Sequence, residues 1–206
     1  MMAELKTIKN VVFDFGQVLV HFDPSYMVGQ YVSDAEDAAL IAEVLFDRLY
    51  WDRLDAGTIS DEEVVEESCK RLPARLHHVT REIYYHWFYN LPPMDGMEEL
   101  VRELKEKGIR LCLLSNISAS FAEHAGEIPI LSHFDQCVFS AVCGYVKPSR
   151  EIFQYLCEAC GLDPAETLFV DDSARNIAGA ERYGIRGYLF DGDADALRAY
   201  LARVLA

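Results

Sequence analysis

The chain has 206 residues, 51% of them apolar, and a formal net charge of −15. That length holds one good-sized domain, or a core with a smaller attached domain. The acidic balance speaks against a nucleic-acid partner, whose backbone is gripped by clustered Lys and Arg, and no apolar run approaches membrane-spanning length.

In chain order, residues 8–14 (Ile-Lys-Asn-Val-Val-Phe-Asp) read as a first strand that ends on Asp14. Residues 33–90 carry helical periodicity and almost no strand signal. Ser33-x-x-Glu36 and Ser60-x-x-Glu63 are capping boxes that open two helices, and Pro73 ends or kinks the second. A third helical stretch holds the aromatic cluster Tyr84, Tyr85, Trp87, Phe88 and Tyr89, and Leu91-Pro92-Pro93 breaks the pattern. From Met94 helix and strand alternate. A helix capped by Asp95 reaches Lys107, a strand covers 110–114, and a helix covers 118–124. A short strand covers 135–140, a helix 149–160, and a strand 168–170. A helix covers 173–183, a strand 186–190, and a last helix 194–204. This succession predicts an α/β, doubly wound parallel sheet of Rossmann-like type. The helical block is expected to be an inserted cap, residues 21–92, over a core of residues 1–20 and 93–206.

Short apolar runs bounded by turn residues read as buried parallel strands, and ligands of such sheets bind beyond the strands' carboxyl ends. Val11-Val12-Phe13 stops on Asp14, Leu111-Cys112-Leu113-Leu114 on Ser115-Asn116, and Leu168-Phe169-Val170 on Asp171-Asp172. Val146-Lys147-Pro148 lies between the last two. A carboxylate, a hydroxyl, a cation and an acidic pair in one crevice are the parts that move a phosphoryl group. Asp14 can attack phosphorus, although Asp after a strand also serves as a turn or cap residue. Gly16 permits close backbone approach. Ser115 and Asn116 suit either a phosphate grip or a helix N-cap. Lys147 can neutralise phosphate charge, although most lysines are solvated surface groups. Two adjacent carboxylates repel, and a hard cation with oxygen ligands relieves that repulsion.

The order and spacing of Phe-Asp-Phe-Gly-Gln-Val-Leu (13–19), Leu-Leu-Ser-Asn (113–116), Val-Lys-Pro (146–148) and Phe-Val-Asp-Asp-Ser-Ala-Arg-Asn (169–176) resemble the four motifs of the haloacid dehalogenase superfamily. The resemblance implies an aspartate-nucleophile hydrolase that uses Mg²⁺ and a small phosphorylated substrate. By it, Asp14 is nucleophile and metal ligand, the Gly16 carbonyl and Asp172 complete the metal site, and Asp171 acts behind them. Asn176 supports Asp172. Ser115, Asn116 and Lys147 hold the phosphate, with Asn116 orienting substrate. Phosphatases of the superfamily usually carry a second Asp two positions after the nucleophile; this chain has Gly16 there. Capped members with Asp-x-Gly are associated with sugar phosphates. His21 or Asp23 on the following loop are candidates to replace the missing acid. The rival readings are a metal-independent 2-haloacid dehalogenase and a catalytically weak phospho-ligand-binding or regulatory protein.

The six cysteines, Cys69, Cys112, Cys137, Cys143, Cys157 and Cys160, are scattered and expected reduced. Cys157-x-x-Cys160 has no second pair to complete a metal site, so both read as helix positions. Met1 to Asn10 lacks an apolar stretch of signal-peptide type, and a soluble cytoplasmic protein is expected. No feature of the chain speaks to oligomeric state. One or two of the aromatics between Tyr84 and Tyr89, or Trp51 and Asp52, are expected to reach the substrate pocket, the rest to pack between helices.

Overall fold

A computed structural model describes residues 7–205; the first six residues, counted with the core above, and Ala206 lie outside it. The apolar run before Asp14 forms β1, Asn10–Phe13. It is shorter than expected, because Ile8 leaves the sheet ladder for an isolated bridge to Leu205. After β1 comes the inserted block, with α1 (Pro24–Gly29), α2 (Ala35–Leu45), α3 (Arg48–Asp55), α4 (Asp61–Arg71) and α5 (His77–His86). Then follow α6 (Met97–Glu106), β2 (Arg110–Ser115), α7 (Ala119–His124), β3 (Gln136–Phe139), the one-turn α8 (Ser140–Cys143) and α9 (Arg150–Cys160). The chain closes with β4 (Thr167–Asp171), α10 (Ala174–Tyr183), β5 (Arg186–Leu189) and α11 (Ala194–Val204).

The local chemistry accounts for these boundaries. At α4 the Ser60 hydroxyl accepts from the Glu63 N–H at 3.2 Å, and the Glu63 carboxylate accepts from the Ser60 N–H at 2.9 Å, the reciprocal capping box. Pro73 follows the extended Leu72 that ends the helix. At α2 the cap is Asp34 and not Ser33: its carboxylate accepts from Glu36 N and Asp37 N at 3.1 and 3.0 Å. An ionised acceptor one residue on is the stronger cap for the same donors. At α6 the helix starts later than Asp95, behind Gly96 in the left-handed region. Helices α1, α3 and α8 are too short for periodicity to reveal them.

All five strands are parallel, in the order β3-β2-β1-β4-β5. Side chains alternate between two apolar layers, as the period of two requires. Val11, Phe13, Leu111, Leu113, Leu168 and Val170 pack into one layer with α6, α11 and the inserted helices. Val12, Cys112, Leu114 and Phe169 pack into the other with α9 and α10. The doubly wound expectation therefore holds. The central position of β1 matters most. Phe13 is level with Leu113 on one side and Val170 on the other, so Asp14 emerges between the last residues of β2 and β4. No helix among the described residues is long and apolar enough to cross a membrane.

The inserted helices are fastened to the sheet at α8. Ser140 is fully buried. Its Oγ donates to the Asp55 carbonyl at 2.6 Å and accepts from the Ile117 N–H at 2.9 Å. Gly57, at φ 67°, lies so close that a Cβ there would stand 3.0 Å from the Ala141 carbonyl oxygen. Replacing Ser140 with Ala orphans buried backbone groups on both sides of this joint. It is expected to cost about 1–3 kcal/mol, read as a lower urea midpoint at unchanged slope; an unchanged midpoint would refute the joint's contribution.

Candidate active site

The strand ends converge on one cavity of about 380 Å³ lined by Asp14, Gly16, Ser115, Asn116, Lys147 and Asp172. Of the residues that the four sequence motifs nominated, all lie on it except Asp171, which is buried behind it. Its opposite wall comes from the inserted helices and the loop before them, with Phe22, Trp51 and Trp87 in mutual edge contact at centroid distances of 5.3–5.6 Å. Of the aromatic stretch 84–89, Trp87 is the member that reaches this wall; Phe88 packs on Phe121 and the Tyr84 hydroxyl bonds Asp61.

The centre of the site is a buried ion cluster. Lys147 Nζ lies 2.7 Å from Asp14 Oδ1 and 2.8 Å from Asp171 Oδ2. The lysine side chain is 1% exposed. Burial works to discharge its ammonium, but Asp14 and Asp171 outweigh burial and hold the pKa above the ordinary lysine value. Burial also drives the Asp14 carboxyl up, Lys147 opposes this and Asp171 adds to it, and the pKa reaches about 7. Both bonds to Asp14 from the described residues, the Phe15 N–H and Lys147, fall on Oδ1. Oδ2 is left for chemistry.

Asp171 is fully enclosed. It accepts from Lys147, from the Ser173 N–H at 2.8 Å, and from Asn176 Nδ2 at 3.0 and 3.1 Å. Asn176 thus supports Asp171 and not Asp172, because Asp171 is the carboxylate turned inward beneath the start of α10. Asp172 is exposed at the cavity, and burial of part of its side chain, then Asp171, raise its pKa. Oxygens of Asp14, Asp171 and Asp172 lie within 4.8 Å of one another. Three carboxylates against one ammonium leave excess negative charge in a mostly buried volume, and hard oxygen donors at this spacing fit Mg²⁺. None of the described backbone hydrogen bonds ends on the Gly16 carbonyl, which fits a further oxygen ligand.

Other expected partners take different positions. Asn116 spends its side chain on the Lys147 peptide: its Oδ1 accepts from the Lys147 N–H at 2.8 Å and its Nδ2 donates to the Lys147 carbonyl at 3.2 Å. It holds the lysine in place. Ser115 ends β2 and faces the cavity, while the cap of α7 is Ser118. The left-handed residue of the first motif is Gln17, at φ 59°, and not Gly16. Asp23 caps α1 through the Ser25 and Tyr26 N–H groups, and neither it nor His21 lines this cavity. Behind the site, Gly179 of α10 lets the helix dock on Pro148; a Cβ at 179 would come within 2.6 Å of the proline Cβ.

The sequence reading missed Asp55, Arg48 and Arg175, which also line the cavity. For Asp55 a signal exists. It sits in the last turn of α3, where the helix dipole disfavours a negative charge.

One stability consequence can be measured. Folding raises the Asp14 pKa from 3.8 to about 7, so the folded state binds this proton more tightly than the unfolded chain. The metal-free protein therefore loses stability as pH rises from about 4 through 7. Asp14→Asn cannot ionise. In EDTA at pH 8 it is expected to melt several degrees above wild type, on the order of a few kcal/mol, with the gap closing toward pH 4. An equal or lower melting point at pH 8 would contradict the electrostatics described.

The comparisons with known proteins agree with this geometry. The pattern of the haloacid dehalogenase-like hydrolases matches residues 8–184. A sesquiterpene phosphatase of Aspergillus oryzae is 24% identical over 88% of this chain and 89% of its own. A D-ribitol-5-phosphate phosphatase of Bacteroides thetaiotaomicron is 26% identical over 91% and 94%. An (S)-2-haloacid dehalogenase of a Pseudomonas strain is 28% identical over 60% and 53%. Among solved structures, a predicted HAD-like family hydrolase from Porphyromonas gingivalis superposes with TM-score 0.73, 27% identity and 96% and 98% coverage. A HAD family enzyme of Bacteroides thetaiotaomicron, in complex with magnesium and inorganic phosphate, gives TM-score 0.69 at 22% identity, covering 92% and 98%. The chain belongs to the haloacid dehalogenase-like hydrolase family.

Proposed function

We propose that this protein is a Mg²⁺-dependent phosphatase of a small phosphorylated metabolite, of sugar-phosphate type, that works through an aspartyl-phosphate. The observation that carries the reading is the buried Lys147 ammonium bonded to both Asp14 and Asp171, with Asp172 beside them in a three-carboxylate cluster. A dehalogenase acting on carbon has no use for a divalent cation, whereas this cluster has the charge and donors to hold one. The two phosphatases that match nearly the whole chain support the same choice. In this reading residues 1–20 and 93–206 form the catalytic core and 21–92 the cap, and the substrate is enclosed between them.

The roles follow from the chemistry of each group. Asp14 Oδ2 attacks phosphorus and the bond to the substrate oxygen breaks; water then cleaves the acyl phosphate and restores Asp14. Lys147 compensates charge on the phosphoryl oxygens at the transition state. Ser115 donates its hydroxyl to a phosphoryl oxygen, and Asn116 keeps the lysine in place. Bound by Asp14, Asp172 and the Gly16 carbonyl, with Asp171 behind them, Mg²⁺ supplies charge neutralisation for the carboxylates and the phosphate. The aromatic wall of Phe22, Trp51 and Trp87 excludes water from the cavity.

The test is a panel of sugar, nucleotide and acyl phosphates with and without EDTA. Phosphate release that needs Mg²⁺ and falls roughly 10⁴-fold in Asp14→Asn is the expected result. Metal-free turnover of 2-chloropropionate would favour dehalogenation. Absence of phosphate release from every ester would favour the phospho-ligand binder.

A further inference from the structure

Breaking a phosphate ester leaves an alkoxide, which departs poorly unless it gains a proton as the bond breaks. Asp14 cannot attack and also supply that proton. Asp171 is enclosed by its bonds to Lys147, Ser173 and Asn176, and Asp172 belongs with it to the cation-binding cluster. One carboxyl group among those lining the cavity lies outside the cluster, and it is Asp55.

The setting of Asp55 is unusual for an acid. It is 8% exposed, and among the described residues no hydrogen bond or ion pair ends on its carboxylate. Its main chain is pinned to the sheet part of the molecule by Ser140 at 2.6 Å. Burial raises its pKa to about 7; Arg48 opposes this, Asp52 adds to it and Lys147 opposes it. Arg48 and Asp52 stand on the same helix and pair with each other, so Lys147 is the charge that faces Asp55 from the opposite wall. The helix end it occupies adds a further penalty on ionisation. At neutral pH such a group exchanges a proton readily in either direction. Position 16 offers no competitor: it carries no side chain, although a Cβ there would meet only the Phe22 Cβ, at 3.7 Å.

We infer that Asp55, a residue of the inserted helices, is the proton donor and acceptor of the reaction. This rests on the phosphatase reading above. In the first half, Asp14 Oδ2 bonds to phosphorus, the phosphorus–oxygen bond to the substrate breaks, and the departing oxygen takes the Asp55 proton and leaves as the alcohol. In the second half, the Asp55 carboxylate takes a proton from water as that water attacks phosphorus. The bond to Asp14 breaks, inorganic phosphate forms, and Asp55 is again protonated.

The experiment compares two esters in the full chain with Mg²⁺: p-nitrophenyl phosphate, whose leaving group needs no proton, and an alkyl phosphate such as ribitol 5-phosphate or glycerol 2-phosphate. Asp55→Asn keeps the shape of the neutral acid. It is expected to lower kcat/KM for the alkyl ester by roughly 10²–10⁴-fold. On p-nitrophenyl phosphate it is expected to release one equivalent of nitrophenol at a near wild-type rate and then stall. The stalled protein carries the phosphoryl group, visible as intact mass. Misfolding or mere loss of structure lowers both esters alike and produces no burst, so equal loss without a burst overturns the inference, as does unchanged turnover of both. In either case Asp14-dependent release by the wild type leaves the phosphatase reading standing. Wild-type protein that hydrolyses neither these esters nor any of the panel above ends both.

Discussion

The structure depends on the Lys147 ammonium buried between two carboxylates. Removing such a charge from water costs several kcal/mol, and only close partners with full hydrogen bonding compensate. Asp171 is bonded to Lys147, Ser173 and Asn176, and Asn116 grips the lysine's own peptide at both ends. The arrangement is a scaffold built around one cation. It needs the neighbouring ends of β1 and β4, the start of α10 above Asp171, and β2 beside β1. The sheet order places all three there.

That scaffold leaves Asp14 only partly compensated. The nucleophile candidate is buried, shares its lysine with a better-bonded neighbour and faces the repulsion of that neighbour, so its carboxyl resists ionisation. Sites that do chemistry commonly carry such imbalance, since interactions that would relax it in the resting protein would also blunt its reactivity. A cation or a substrate that corrects the imbalance is bound with the energy thereby released.

Much of this was legible in the residues. Val11-Val12-Phe13 and Leu168-Phe169-Val170 are buried on both faces, so they read as continuous apolar runs, and each run stops where chemistry begins. Ser60 and Glu63 announced their helix because capping is local. What escaped was long-range or short. The pairing of Asn116 with Lys147 crosses 31 positions, and nothing in either neighbourhood encodes it. Helix α3 is eight residues long, which is too brief for a clear apolar period, so the helix end that marks Asp55 was not legible. The choice of Asn176's partner turned on which of two adjacent carboxylates points inward, a matter of strand pleat at a strand end.

The close seating of α10 on Pro148 carries a consequence for how this chain can vary. Gly179 touches no ligand and sits on the far side of the lysine loop, yet a single methyl group there has no room. Relief of that collision would travel along the loop to the adjoining lysine. A featureless position on a helix outside the cavity is thereby closed, in this chain, to everything larger than hydrogen.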